Sequence, residues 1–428
     1  MGIFDKRKLP EYTFDFHECT IADLGAGAVG SHIVEKANKA GIKKVYIVDF
    51  DKLEEGNYAK SSSLYQYPED VGESKALALS KRANKYLDSE TVFGINANIT
   101  NFGPMAFAGM DAILAPFDNY AAKIYINQQW LQIPLEIRPE LFWGGTWGEE
   151  AQSNELDGTG PCLRCCHDER WLVNPLVRTS CTGANYRDPD LPAASGITTG
   201  LASDFAAGFM VEQLRARLLN LEEAANKRIM YTPFPNLSIN VNTPMKRKSC
   251  PDCKRFHPPA SLEVIENCDV MTLTVRELFD KLGEALGTKD FSVSVPRIDY
   301  AEATYAELIV DDYCRCCGKS LKGLYTHEFK QRYEDLLCTE CRIDGKKTSD
   351  ETRTTLIATK MNVIEQQDLK GELGNRILFS LGWTIGGFIK ANVRKAGIDI
   401  MDEGFVEEYT FYCGNDPKLL KTVKVLEG

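Results

Sequence analysis

The feature that most restricts this chain is a glycine-rich turn, Gly25-Ala26-Gly27-Ala28-Val29-Gly30, with an apolar run from Thr20 to Leu24 before it. After it, apolar residues recur at helical spacing from Ser31 to Lys39, and Val45 to Phe50 is a second β-branched run. Strand, glycine turn, helix and strand in that order make a β-α-β unit. The missing side chains let backbone N–H groups approach a phosphate at the helix N-terminus. Asp49 ends the second strand about 20 residues on, where a carboxylate can bind ribose hydroxyls. The turn alone does not separate NAD from ATP. Asp23 stands out because the interior of a parallel strand is ordinarily apolar.

Further alternation follows: a helix is predicted over Lys75–Leu87, strands over Thr91–Ala97 and Ala112–Ala115, a helix over Asn119–Leu131 and a strand over Pro134–Ile137. An α/β fold with a mainly parallel, doubly wound sheet is the natural packing. Residues 173–196 lose apolar periodicity and read as a long crossover loop. A helix over Gly200–Asn220 and two strands within Arg228–Asn242 close this first domain, placed at residues 1–258 and ending at Pro258-Pro259.

The 428 residues suffice for two to four domains at roughly 100–200 residues each. A strand over Val270–Thr274, a helix over Val275–Leu286 and strands over Phe291–Val295 and Ala306–Val310 suggest a small α+β domain of β-grasp type at 259–312 and 343–428. Further strands are expected within Thr354–Val363, Phe388–Val393 and Glu408–Cys413. A cysteine-rich insertion at 313–342 interrupts this domain.

Composition narrows the partners. The net charge of −11 repels phosphate polymers and anionic lipid, so neither nucleic acid nor membrane is expected. The apolar stretch Ile377–Ile389 is interrupted by three glycines and is too short to span a bilayer. The N-terminus has no apolar secretory core, which points to the cytoplasm. In a reducing compartment, 14 cysteines read as metal ligands and catalytic thiols.

Asp49-Phe50-Asp51, Asn57-Tyr58-Ala59-Lys60, Gly72-Glu73-Ser74-Lys75 and Phe117-Asp118-Asn119 complete an ordered set of motifs with the glycine turn. Together they resemble the Rossmann-like adenylating fold shared by ubiquitin-activating E1 enzymes and the ThiF/MoeB sulfur-carrier activators, over about Thr20 to Phe256. The resemblance implies ATP held by Gly25, Gly27, Gly30, Asp49, Asp51 and Asn57, with Asp118 binding Mg²⁺ on the phosphates. It implies that Lys75 and Lys60 neutralise charge developing at the α-phosphate. A ubiquitin-like partner's C-terminal carboxylate would attack there to give an acyl-adenylate. These families usually carry Arg-Gln where this chain has Lys60-Ser61, and lysine lacks the bidentate fork of arginine.

Two C-x-x-C pairs, Cys162/Cys165 and Cys250/Cys253, have the spacing of a closed structural zinc site, and the resembled family holds zinc with pairs in these places. Cys314 and Cys317 with Cys338 and Cys341 have zinc-ribbon form, with Cys316 leaving the register open. Cys181, in Ser180-Cys181-Thr182, resembles the E1 catalytic cysteine and would take the acyl group as a thioester, with Cys166 and Cys268 as competitors. Leu273–Phe279 and Ile377–Ile389 look like parts of an E2-recruiting ubiquitin fold. A homodimer is implied by the resemblance alone. The competing readings are a sulfur-carrier adenylyltransferase without a thioester step and a nucleotide-binding scaffold without turnover.

Overall fold

The computed structural model describes residues 18–87, 90–117, 120–166, 198–221, 223, 225–296, 298–301, 304–306, 308–314, 326–327, 356–395 and 406–414. Two compact units emerge. Among the described residues, those up to Ile99 and Phe107–Pro258 belong to the first, and Thr100–Ala106 together with those from Pro259 onward belong to the second.

The first unit is built on β1 (Thr20–Leu24), α1 (Ala28–Ala40), β2 (Lys44–Val48), α2 (Lys75–Leu87), β3 (Val92–Ile95), β4 (Ala112–Ala115), α3 (Tyr120–Gln132), β5 (Glu140–Trp147), β6 (Glu150–Leu156), α4 (Gly200–Leu218), β7 (Arg228–Thr232), β8 (Ser238–Asn242) and the short α5 (Pro251–Arg255). Its eight strands run β3-β2-β1-β4-β5-β6-β7-β8. The first five are mutually parallel, and β6, β7 and β8 add on antiparallel. This is a mixed α/β, Rossmann-like fold with a large parallel portion. Chain order reverses between β1 and β4, so the crevice beyond their carboxyl ends is where such a sheet accepts a ligand.

Apolar periodicity explains the packing. Ile33, Val34 and Ala37 of α1, Leu79 and Ala83 of α2, and Ala206, Met210 and Leu214 of α4 share one buried cluster with Ile21, Val45 and Ile47 of the strands. α3 buries Ile126 and Trp130, and neither belongs to that cluster. Such burial contributes roughly 1.5–3 kcal/mol per large side chain.

One strand expected here does not form. Pro134–Ile137 is no strand: Leu135–Ile137 is a 3₁₀ turn with Leu135 and Ile137 exposed, and β5 begins only at Glu140. The apolar residues there lie on the surface, so no sheet face holds them extended.

The second unit contains β9 (Glu263–Ile265), α6 (Val275–Leu286), β10 (Phe291–Ser294), β11 (Ile298–Ala301), β12 (Thr304–Ala306), β13 (Leu308–Cys314), β14 (Thr326–His327), β15 (Leu356–Met361), β16 (Val363–Glu365), β17 (Ile389–Arg394) and β18 (Val406–Cys413). Its main sheet runs β16-β10-β17-β18-β9, antiparallel except for the β18–β9 pair. The strand expected at Val270–Thr274 is absent. Asp269 instead folds the chain into a turn, its carbonyl accepting from Thr272 and Leu273 and its side chain from the N–H of Met271. Thr274 then caps α6 in a capping box with Glu277. Within this unit, Gly103 and Met105 donate to the carbonyls of Ile385 and Gly386, and Ile385 donates back to Asn101.

Candidate active site

The glycine turn joins β1 to α1 as its sequence requires. Gly25 has φ +127°, a backbone region closed to most L-residues. A Cβ on Gly30 would lie 1.7 Å from the Gly25 carbonyl oxygen, so only glycine allows α1 to start this close to the strand. At Gly27, the N-cap of α1, a Cβ would meet nothing within 4 Å, and no side chain caps the helix. The first turn of α1 carries the positive end of the helix dipole.

Asp49 fastens this turn to the end of β2. Its Oδ2 accepts from the Ala26 N–H at 2.7 Å, and its Oδ1 accepts from the Asp51 N–H at 2.7 Å. Burial pushes its carboxyl up to about 6, against the opposing pull of Lys75. Lys75, the first residue of α2, donates its backbone N–H to the Asp51 carbonyl at 2.8 Å and places Nζ 3.2 Å from Asp51 Oδ2. The buried Tyr65 hydroxyl donates to the carbonyl of Ala26 at 2.6 Å and lies 3.0 Å from that of Lys75. The structure therefore brings Gly25, Gly27, Gly30, Asp49, Asp51 and Lys75 into one cluster, tied by a tyrosine that no sequence motif announced.

Asn57 is buried, and its Oδ1 accepts from the Glu54 N–H at 2.9 Å, so it shapes the segment that carries Lys60. That segment is held by α1, because Ser31 Oγ accepts from the Ser62 N–H at 3.0 Å. His32 stands beside it on α1, with Nδ1 3.2 Å from Asp204 Oδ1 on α4. Asp118, Asn119, Cys181 and the 173–196 loop lie outside the described residues, as do Cys316, Cys317, Cys338 and Cys341; Cys314 ends β13. Of the two competing thiols, burial pushes Cys166 up to about 12, and Cys268 is 4% exposed.

Two cations also escaped the sequence reading. Lys123 on α3 and Arg228 on β7 lie 5.4 and 5.9 Å from the ring of buried Trp143, which pairs with Ala115 where β4 ends. Sheet register through Asn154 brings Arg228 to the ring, and the packing of α3 brings Lys123.

The first cysteine set forms a candidate metal centre. Sγ of Cys162 lies 3.8 Å from that of Cys165 and 3.6 Å from that of Cys250, and Cys165 lies 3.6 Å from Cys253. All four sulfurs fall within 4.8 Å of one another. Thiolates about 2.3 Å from a tetrahedral zinc are about 3.8 Å apart, so the donor set fits zinc without an open position. Around it, Asn127 Nδ2 donates to Asp252 at 2.8 Å and lies 3.7 Å from Cys162 Sγ, and Arg164 pairs with Asp252 at 2.9 Å. Among the described residues, no helix is long and apolar enough to cross a membrane.

Ubiquitin-like modifier-activating enzyme 5 of Bombyx mori is 28% identical over 276 residues, which cover 59% of this chain and 66% of that protein. The Caenorhabditis elegans protein of the same name is 27% identical over 241 residues, covering 53% and 54%. The chain thus spans between about half and two-thirds of these relatives. A crystal structure of E. coli MccB + ATP aligns with a TM-score of 0.44 at 17% identity, covering 56% of this chain and 67% of that one. The ThiF family model matches residues 14–254, more than half of the sequence, and the protein belongs to the ThiF family.

Proposed function

We propose that this protein activates a ubiquitin-like protein in an ATP-dependent reaction. The observation that carries the reading is the joining of the glycine turn, Asp49, Asp51 and Lys75 at the topological switch point of a ThiF-family sheet. The turn's N–H groups bind phosphate oxygens, Asp49 and Asp51 the ribose, and Lys75 and Lys60 offset charge at the α-phosphate. A carboxylate oxygen of the partner's C-terminus forms a bond to the α-phosphorus, and the bond to pyrophosphate breaks. The acyl-adenylate then passes its acyl group to the Cys181 thiolate, releasing AMP, and the thioester goes on to an E2-like enzyme.

Asp118 would hold Mg²⁺, which supplies charge neutralisation on the phosphates when bound. Cys162, Cys165, Cys250 and Cys253 would hold structural zinc, and Cys314, Cys317, Cys338 and Cys341 a second zinc. The β-grasp-like second unit would recruit the E2, and the chain would act as a homodimer. The relatives named ubiquitin-like modifier-activating enzyme 5 favour this over sulfur-carrier adenylation.

The test incubates the protein with ATP, Mg²⁺ and candidate ubiquitin-like proteins, and reads pyrophosphate release and non-reducing intact mass beside Cys181→Ala. A thiol-sensitive adduct lost in the variant is expected. Pyrophosphate without an adduct assigns the sulfur-carrier chemistry, and neither signal leaves a scaffold.

A further inference from the structure

Asp23, one residue before the end of β1, has no part in the scheme above. Its side chain is 0% exposed, and among the described residues neither carboxyl oxygen has a hydrogen-bond partner. Its register partners are Ile47 on β2 and Leu114 on β4, so the strands beside it supply no donor side chain. A Cβ on Gly30 would come 3.3 Å from Asp23 Oδ2, which places the carboxyl against the first turn of α1, behind the glycine turn.

The titratable groups around it are acidic. Asp49 at the end of β2 acts on Asp23, and Tyr65 feels Asp23, Asp49 and Asp51 together. Lys75 is engaged with Asp51 and acts on Asp49. Burial first, and Asp49 second, raise Asp23 well above the usual carboxylate range. An ionised carboxylate with neither hydrogen bond nor counter-ion is costly in such a place, so the residue stays a neutral acid.

We propose that Asp23 is a proton-carrying positioning residue of the nucleotide turn: the turn accepts a triphosphate only while this carboxyl is neutral, and its ionisation sets a like charge behind the phosphates and expels them. The inference rests on the nucleotide reading above and deepens it. It makes nucleotide binding proton-linked at a residue that never touches the ligand.

The experiment measures the dissociation constant of a non-hydrolysable ATP analogue from pH 6 to 10 for wild type, Asp23→Asn and Asp23→Ser. Wild type and Asn are expected to bind alike at pH 6. Toward the alkaline end, wild type weakens by up to about tenfold per pH unit relative to both uncharged variants, as release of one linked proton requires. Taking the ratio cancels the nucleotide's own titration. A purely structural role would shift affinity by the same factor at every pH, and a constant ratio overturns the proposal. The two variants guard against one of them failing to fold. Wild type that binds at no pH overturns the nucleotide reading and this inference with it, whereas binding at a constant ratio overturns the inference alone.

Discussion

The N–H of Ala26, within the glycine turn, donates to Oδ2 of Asp49 across the gap between two parallel strands, at 2.7 Å. This bond fixes the turn to the end of the strand that leads into Asp49 and Asp51. It also ties the turn's geometry to the charge on Asp49, whose pKa burial raises to about 6.

A pH dependence follows. Below about 3.9 the carboxyl is protonated in both folded and unfolded chains. Between that value and about 6 the unfolded chain releases its proton while the folded one keeps it, so stability falls as pH rises through this window and levels off above it. Asp49→Asn should remove on the order of 3 kcal/mol of that fall, a unit of pKa being about 1.4 kcal/mol. Urea denaturation midpoints at pH 4, 5, 6.5 and 7.5 compare the two proteins; parallel curves would contradict the assignment.

The two glycines of the turn should separate folding from binding. Gly30→Ala forces a Cβ to within 1.7 Å of the Gly25 carbonyl, so α1 must shift and the protein should lose about 1–3 kcal/mol or more. At Gly27 an added Cβ meets open space, so Gly27→Ala should melt within about 0.5 kcal/mol of wild type yet bind ATP at least about tenfold more weakly. Thermal melts paired with nucleotide titration read both effects.

Tyr65→Phe removes a hydroxyl placed between the carbonyls of Ala26 and Lys75 and leaves buried acceptors unsatisfied. A loss of about 1–3 kcal/mol is expected. Because α2 starts at Lys75, hydrogen exchange should quicken at the first turn of α2 before it does in β3.

Beside the cysteines, Arg164 and Asp252 pair with side chains 7% and 1% exposed. Arg164→Ala strands a buried carboxylate and should cost about 3–5 kcal/mol, whereas Arg164→Leu combined with Asp252→Asn should cost less than Arg164→Ala. If the single and double variants lose equal stability, the pair is not coupled. The same preparations, passed over a chelator and assayed for metal by mass spectrometry, should lose zinc faster than wild type, since Asp252 also accepts from Asn127 beside Cys162.

Where local chemistry is decisive, the sequence and the fold coincide. α2 spans Lys75–Leu87 and α6 spans Val275–Leu286 as their periodicity predicts, and the two C-x-x-C pairs meet in space. Where tertiary context decides, they part. Leu135 and Ile137 are apolar but exposed, so their pattern does not mark a strand. Val270–Thr274 has strand-like composition, yet Asp269 commands its backbone N–H groups. Tyr65 lies in an irregular stretch with no periodicity to flag it. Lys123 and Arg228 meet at Trp143 through the packing of α3 and through strand register, neither of which a local window contains. Asp23 was visible as an anomaly, but its lack of a hydrogen-bond partner among the described residues is a property of the packed fold.

The placement of Thr100–Ala106 in the second unit bears on how the chain can be made. Gly103 and Met105 leave the ribosome about 280 residues ahead of Ile385 and Gly386, whose carbonyls their N–H groups will occupy. At roughly 5–20 residues per second that interval is about 15–55 s. Through it, this short stretch between β3 and β4 is a nascent segment whose final hydrogen-bonding partners have not been synthesised.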